Sequence, residues 1–161
     1  MAFYVPVDST QPRRAPKPSA PEFGGYSLVS LSALPVVSAR CRRQPKYTSA
    51  MLVVFLQVVS GLSPSGRFQK PASYIAKNTG YTAETVKQAL IRLQQENIVR
   101  RVVLDEGMQW FWLVNPLILV KGNAKARGLS KKLWYEVGDA TGVAEDFTEW
   151  TEAELGLGGQ G

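Results

Sequence analysis

The chain contains no histidine among its 161 residues, and this absence removes several classes of chemistry. A serine–histidine–aspartate or cysteine–histidine arrangement for nucleophilic catalysis cannot form, and neither can a metal site ligated by histidine. The acidic side chains are too scattered along the sequence to nominate a general acid and a general base. We therefore expect a protein that is not an enzyme and that holds neither a metal nor another cofactor.

Cysteine and long apolar runs are also scarce. Cys41 is the single cysteine, so the chain cannot form an internal disulfide or a cysteine-rich zinc site. Its neighbours Arg40, Arg42 and Arg43 are of the kind that lower a thiol pKa, although an ordinary free thiol is the favoured interpretation. The longest apolar run, residues 51–59, is about half of the roughly 20 residues that span a membrane. With no secretory signal visible, the sequence predicts a cytoplasmic protein with no membrane partner.

Positive charge is abundant and unevenly distributed. The sequence has 19 lysine and arginine residues against 13 aspartate and glutamate residues, a formal net charge of +6. Seven of the acids and none of the bases fall within residues 136–161, so residues 1–135 carry a strong positive excess. A basic body attracts polyanions, and net charge alone does not distinguish nucleic acid from an anionic membrane or an acidic protein, so the motifs must decide.

Composition divides the chain into three parts. Residues 1–22 include a basic, proline-rich segment that can bury little apolar surface, so we expect a flexible arm. Residues 23–135 have the apolar content of one folded domain, with a helix over residues 48–60 that is buried on most of its surface. Residues 136–161 are predicted to be an acidic, partly disordered tail, although Trp150 suggests that part of it docks.

The stretch YIAKNTGYTAETVKQALIRL, residues 74–93, has a helical apolar period that is interrupted by Gly80. Pro71 suits the first turn of a helix that runs to about Asn78. Gly80 suits a left-handed exit from that helix, and its small size lets a second helix cross closely. Thr82 is a good N-cap for the second helix. The predicted helix-turn-helix buries apolar residues at helical spacing: Val86, Ala89, Leu90 and Leu93.

Two β-branched and aromatic runs follow, joined by the sequence DEG, and they predict a β-hairpin with Gly107 in the turn. The expected fold class is therefore α+β, mainly helical: a winged helix-turn-helix with a β-hairpin wing, flanked by flexible tails. Arg100 and Arg101 are adjacent in the first strand and point to opposite faces, so at most one of them approaches DNA directly. The acidic residues Asp105 and Glu106 disfavour insertion of this turn between phosphates.

The segment WFWLVNPLILVKGN, residues 110–123, resembles the end of the winged-helix domain in RepL-type plasmid replication initiators. An aromatic strand ends in an asparagine–proline pair and is followed by an apolar run and a lysine–glycine pair. The resemblance covers about residues 48–123, and that family also carries threonine, valine and leucine at the spacing of Thr85, Val86, Leu90 and Leu93. It implies sequence-specific binding of double-stranded DNA at a plasmid or phage origin and recruitment of host replication proteins.

The outward face of the second helix supplies the candidate DNA-binding residues. Residues near the start of such a helix usually reach base edges; glutamine can pair with adenine, and alanine or threonine can touch a thymine methyl group. Arg92 is better placed for a phosphate, and Arg100 or Arg101 is the candidate contact from the wing. Ile91 is also predicted to be exposed, where an apolar contact with another element is favoured over base contact. The predicted readout residues are Thr82, Ala83, Thr85, Lys87 and Gln88.

We therefore expect a sequence-specific DNA-binding protein that acts in plasmid or phage replication initiation, bound to its origin as a homodimer. A transcriptional repressor bound at an operator is the close alternative, because residue spacing does not encode where the DNA site lies. A third alternative is a protein-interaction module that reuses the winged helix, with the aromatic strand and the acidic tail as contact surfaces. For Trp110, Phe111 and Trp112, core packing or a subunit interface is favoured over stacking on bases.

Overall fold

The computed structural model describes residues 27–141 and 149–156, and in these ranges the chain is α+β, as expected. The predicted arm, residues 1–22, lies outside them. None of the described helices is both long and apolar enough to cross a lipid bilayer. The elements are, in chain order, β1 Ser27–Val29, α1 Ala33–Cys41, α2 Thr48–Ser60, α3 Ala72–Thr79, α4 Ala83–Gln95, β2 Val99–Leu104, a 3-10 turn Asp105–Gly107, β3 Gln109–Val114, β4 Leu119–Lys121 and α5 Ala124–Thr141.

Helix α2 lies at the centre of the main core. It spans the predicted residues, and Met51, Val54 and Val58 recur on one face and are fully buried. This helix packs chiefly against α4, whose buried stripe is the predicted one: Val86, Ala89, Leu90 and Leu93. Burial of α2 is less complete than its uniformly apolar sequence indicated, because Leu56 is 61% exposed.

Helices α3 and α4 form the predicted helix-turn-helix, and Gly80 separates them. Gly80 has φ +85°, a left-handed conformation that costs glycine little. The prediction that a close helix crossing requires a glycine at this position is wrong. A Cβ atom built on Gly80 would meet no atom within 4 Å. Pro71 is the N-cap of α3 and not its first helical residue. Thr82 caps α4, and its side-chain oxygen accepts the backbone N–H of Thr85 at 3.1 Å.

Strands β2 and β3 form the predicted antiparallel hairpin. Gly107 lies in its turn with φ +97°, and Asp105 and Glu106 also have positive φ values. Phe68, from the connection between α2 and α3, forms an isolated antiparallel β-bridge with Trp112 of the hairpin. The two residues exchange two backbone hydrogen bonds, at 3.0 and 2.7 Å. The hairpin is thereby attached to the helical part of the domain and not only to the end of α4.

A second small sheet and the last helix complete the domain. Strand β1 pairs antiparallel with β4, and α5 follows β4 directly. Trp134 of α5 is 2% exposed and packs against the face of the hairpin that carries Val102, Phe111 and Leu113. Helix α5 continues to Thr141 and so runs across the predicted domain boundary at residue 136.

Residues 149–156, called here the docked segment, pack between α1 and the end of α4. Trp150 contacts the main core, and its indole Nε1 donates to the backbone carbonyl of Asn97 at 3.0 Å. The guanidinium of Arg40 lies 4.9 Å from the centre of the Trp150 ring. Arg40 is fully buried and donates to both carboxylate oxygens of Glu154, at 3.0 and 2.7 Å, and to the backbone carbonyl of Glu96 at 2.7 Å. Part of the acidic tail is thus held against the folded domain.

The Arg40–Glu154 pair makes the free energy of unfolding depend on pH in the acidic range. Hydrogen bonding from Arg40 lowers the pKa of Glu154 to about 2. A carboxyl group with a lowered pKa in the folded state stabilises that state above its unfolded pKa of about 4.5, and this contribution is lost as pH falls towards 2. We expect wild-type protein to unfold at a higher denaturant concentration than Glu154→Gln at pH 7, and the difference to vanish near pH 2. A difference that stays constant over this range would contradict the assigned pair.

Cys41 is a free thiol, which is the favoured interpretation of the sequence, but the alternative of a lowered thiol pKa is wrong. The neighbouring arginines do not lower the pKa of the thiol, because Arg40 and Arg43 are paired with Glu154 and Glu96. Burial, followed by the charge of Glu96, instead raises the pKa of Cys41 to about 12. The residue is therefore a buried apolar group of the core and not an activated nucleophile.

This burial predicts low reactivity for Cys41. The thiolate is the reactive form, so at pH 8 we expect the folded protein to react with iodoacetamide more than about a hundredfold slower than free glutathione does. The same protein in denaturant should react at the rate of an ordinary thiol, which serves as the control. Comparable rates in the folded and unfolded protein would show that Cys41 is accessible.

Candidate nucleic-acid interface

The first two turns of α4 are presented to solvent because the apolar residues of this helix lie on its other side. Three of the predicted readout residues, Thr82, Ala83 and Lys87, are exposed, and Thr85 and Gln88 are partly exposed. All five lie together on one accessible surface, which we call the α4 face.

The start of the α4 face is held in place by its cap. The hydroxyl of Thr82 accepts the backbone N–H of Thr85 at 3.1 Å and donates to the hydroxyl of Thr85 at 2.9 Å. The hydroxyl of Thr82 thus uses its proton and one acceptor position within α4, whereas the hydroxyl proton of Thr85 can be donated to an external acceptor. This pair gives the surface a fixed geometry before any ligand arrives.

Lys87 and Gln88 are the polar groups of the α4 face best suited to an external partner. Lys87 makes no ion pair or hydrogen bond with another described residue. Gln88 donates from its side-chain nitrogen to the carboxylate of Glu84 at 3.2 Å, one helical turn earlier. That contact is exposed, so exchanging it for a contact with a base edge costs little. Glu84 itself suits the positive end of α4 and reduces the positive charge of this surface.

Arg92 belongs to an internal contact and not to the α4 face. Its guanidinium donates to the side-chain oxygen of Gln44 at 3.0 Å and lies 4.1 Å from the centre of the Tyr47 ring. Both partners come from the connection between α1 and α2. Arg92 therefore packs α4 against that connection, a role that helical periodicity alone did not indicate, and we remove it from the set of phosphate contacts.

Arg100 and Arg101 point to opposite faces of the hairpin, as the alternation of a strand requires. Arg100 is 3% exposed; it donates to the side-chain oxygen of Asn97 at 3.1 Å and to the backbone carbonyl of Trp134 at 2.6 Å. It is a structural residue between the hairpin and α5, so we also remove it from the DNA-binding set. Arg101 is exposed, and its guanidinium lies 5.2 Å from the centre of the Trp110 ring.

The aromatic strand β3 serves mainly the core. Phe111 and Trp112 are 1% and 8% exposed, which removes both from any surface that stacks on bases. Trp110 is only partly buried and faces the side of the hairpin that also carries Arg101. Of the three aromatic residues, Trp110 alone contributes to an accessible surface.

A groove that the sequence did not predict lies between α4 and the hairpin, and we call it the α4–hairpin groove. It has a volume of about 460 Å³ and is bounded at one end by the start of α3. Lys70, Lys87 and Arg101 supply its charged groups, and Ile91 and the partly buried Trp110 supply its accessible apolar surface. The nearly buried side chains of Leu90 and Trp112 also border it. These residues are far apart in sequence, so only the folded chain brings them together. No pattern in the sequence singled out Lys70.

Comparison with known proteins identifies no relative for this chain. No family model matches it, and neither the curated proteins nor the solved structures contain a match. Among residues 27–141 and 149–156 there is also no group of cysteine, aspartate or glutamate side chains placed to hold a metal ion. The RepL-type resemblance therefore stays a prediction that rests on the residues quoted for it.

Proposed function

We propose that this protein binds double-stranded DNA sequence-specifically through the α4 face and acts in plasmid or phage replication initiation. The observation that carries the proposal is the placement of Lys87 and Gln88, which are accessible and adjacent on a helix fixed by its N-cap and by its buried stripe. A helix presented in this way can enter the major groove, where lysine and glutamine recognise guanine and adenine edges.

The arrangement of elements supports a winged helix as the fold that presents α4. Helices α2, α3 and α4 pack together, and the hairpin follows α4 and is joined to Phe68. In this interpretation α4 is the recognition helix and the β2–β3 hairpin is the wing. The acidic turn with Asp105 and Glu106 is exposed, which disfavours its insertion among phosphates. The exposed Arg101 on the strand is the wing residue that we assign to the DNA backbone.

The revised contact set contains fewer arginines than the sequence predicted. Arg92 and Arg100 stabilise the domain, and the proposed DNA surface consists of the α4 face together with Arg101. Because a single domain makes few phosphate contacts, it should bind DNA weakly, and its affinity should depend only slightly on salt concentration. We therefore propose a homodimer that binds two half-sites, which extends both affinity and specificity.

A footprint of the purified full-length protein tests this function. The DNA should contain the protein's own gene and its flanks, with competitor DNA present and at two salt concentrations. Initiation predicts protection of repeated sites inside the coding region or beside an AT-rich stretch, with protection retained at the higher salt. Protection of the promoter alone would support repression in its place. Binding that is unlocalised and disappears at the higher salt would contradict sequence-specific recognition.

A further inference from the structure

The α4–hairpin groove combines two features that the α4 face does not need. The first is exposed apolar surface: Ile91 is 47% exposed in the middle of an amphipathic helix whose other large apolar residues are buried. Ile91 borders the groove beside Leu90 and the partly buried Trp110. An occupant of the groove would therefore meet the exposed side chain of Ile91 and the accessible part of the Trp110 ring.

The second feature is a rim whose charged side chains are all positive. Lys70 from the α2–α3 connection, Lys87 from α4 and Arg101 from β2 border the groove, and no acidic residue is among the described residues that line it. Lys70 and Arg101 each lie near an aromatic ring, the rings of Tyr74 at 4.8 Å and Trp110 at 5.2 Å, and both side chains are exposed. An occupant of this groove must therefore offer apolar groups to its floor and negative charge to its rim.

We propose that the α4–hairpin groove binds an acidic amphipathic helix of a partner protein. Apolar side chains of such a helix would contact Ile91 and Trp110, and its aspartate and glutamate residues would meet the basic rim. This is the helix-in-groove mode of recognition, in which spaced apolar anchors give affinity and charge complementarity selects the partner. We infer this in addition to DNA binding: the groove shares Lys87 and Arg101 with the proposed DNA surface, so the partner helix and DNA would compete for these two side chains.

Two other occupants fit the groove less well. A nucleic acid strand satisfies the three cations but leaves the apolar surface of Ile91 without a matching group. The basic part of a second copy, residues 1–135, would be repelled by the basic rim because it carries a large excess of positive charge. The combination of apolar floor and cationic rim therefore favours an acidic protein segment over both.

The test uses full-length protein and a synthetic peptide in which leucine and phenylalanine recur at helical spacing and the other residues are glutamate. Binding is followed by NMR, through the backbone amide of Ile91 and the indole N–H of Trp110. A peptide with lysine in place of every glutamate and single- and double-stranded oligonucleotides are titrated in parallel. Ile91→Ser removes an apolar anchor from the groove, and Leu56→Ser is its matched control, since Leu56 is an exposed apolar residue of α2 outside the groove.

The proposal predicts that the glutamate peptide shifts both groove signals, and that its affinity falls about tenfold in Ile91→Ser but stays unchanged in Leu56→Ser. The lysine peptide should not bind. No binding of the glutamate peptide, equal binding by Ile91→Ser, or shifts of these signals by oligonucleotides alone would overturn the proposal. Specific DNA binding by Ile91→Ser, measured on the footprinted site, reports on the proposed function separately.

Discussion

Replacing Lys87 and Gln88 together with alanine should lower the affinity for the specific DNA site by about a hundredfold without unfolding the protein. A glutamine that contacts an adenine edge contributes about 1–3 kcal/mol of discrimination, and a lysine at the same surface adds a base or phosphate contact. Lys87 has no partner among the described residues and Gln88 has only an exposed one, so removing them disrupts no core packing. The measurement is a pair of titrations, one with the specific site and one with unrelated DNA, alongside denaturant unfolding.

The matched control for that variant is Lys132→Ala. Lys132 is an exposed lysine of α5, and its contact with Glu136 at 3.8 Å is a surface ion pair that contributes little to stability. Both variants lose positive charge and should bind unrelated DNA somewhat more weakly. Only the variant at Lys87 and Gln88 should lose discrimination between the two DNA sequences. Equal discrimination in both variants would exclude the α4 face as the readout surface.

Replacing Arg40 with methionine should lower the free energy of unfolding by about 3 kcal/mol, as expected when one partner of a buried charge pair is removed. The substitution deletes the donor to the backbone carbonyl of Glu96 and both hydrogen bonds to Glu154. It also removes the guanidinium stacked on Trp150, so the docked segment should detach. Denaturant unfolding measures the first effect, and hydrogen exchange of the Trp150 indole N–H measures the second.

Arg42→Met is the appropriate comparison for this substitution. Arg42 lies two residues further along the chain and is exposed, and its side chain donates to the hydroxyl of Ser38 at the surface. Its replacement should change the free energy of unfolding by less than about 0.5 kcal/mol. Arg40→Lys keeps the charge but not the paired hydrogen bonds and should fall between the two. Similar stabilities of Arg40→Met and Arg42→Met would contradict the role given to the docked segment.

Local patterns in the sequence predicted the elements well because their causes are local. The apolar run of α2, the N-cap at Thr82 and the left-handed Gly80 each depend on residues within one or two helical turns. The same reasoning correctly placed Arg100 and Arg101 on opposite faces of a strand. It could not decide which of the two faces would be covered by α5, because that depends on a helix 30 or so residues away.

The sequence could not predict the partners of individual arginines. The sequence suggested DNA contacts for Arg92 and Arg100 and only a place beside Cys41 for Arg40. Each of these guanidinium groups lies near an aromatic ring and donates to oxygen acceptors from other parts of the fold. Guanidinium groups are weakly hydrated and carry several donors, so they can be buried where carbonyl groups converge. Such convergence is a property of the tertiary fold, and it also creates the groove between α4 and the hairpin.

A tethered DNA-cleaving reagent would test the central claim most directly. Glu84→Cys places a thiol at the edge of the α4 face, and the buried Cys41 should leave that thiol as the reactive one for attachment. Lys132→Cys, on α5, gives a control protein with the reagent on another surface. We expect cleavage within the footprinted site by the reagent at position 84 and none there by the reagent at position 132. Cleavage of the site from position 132 with none from position 84 would show that another surface faces DNA.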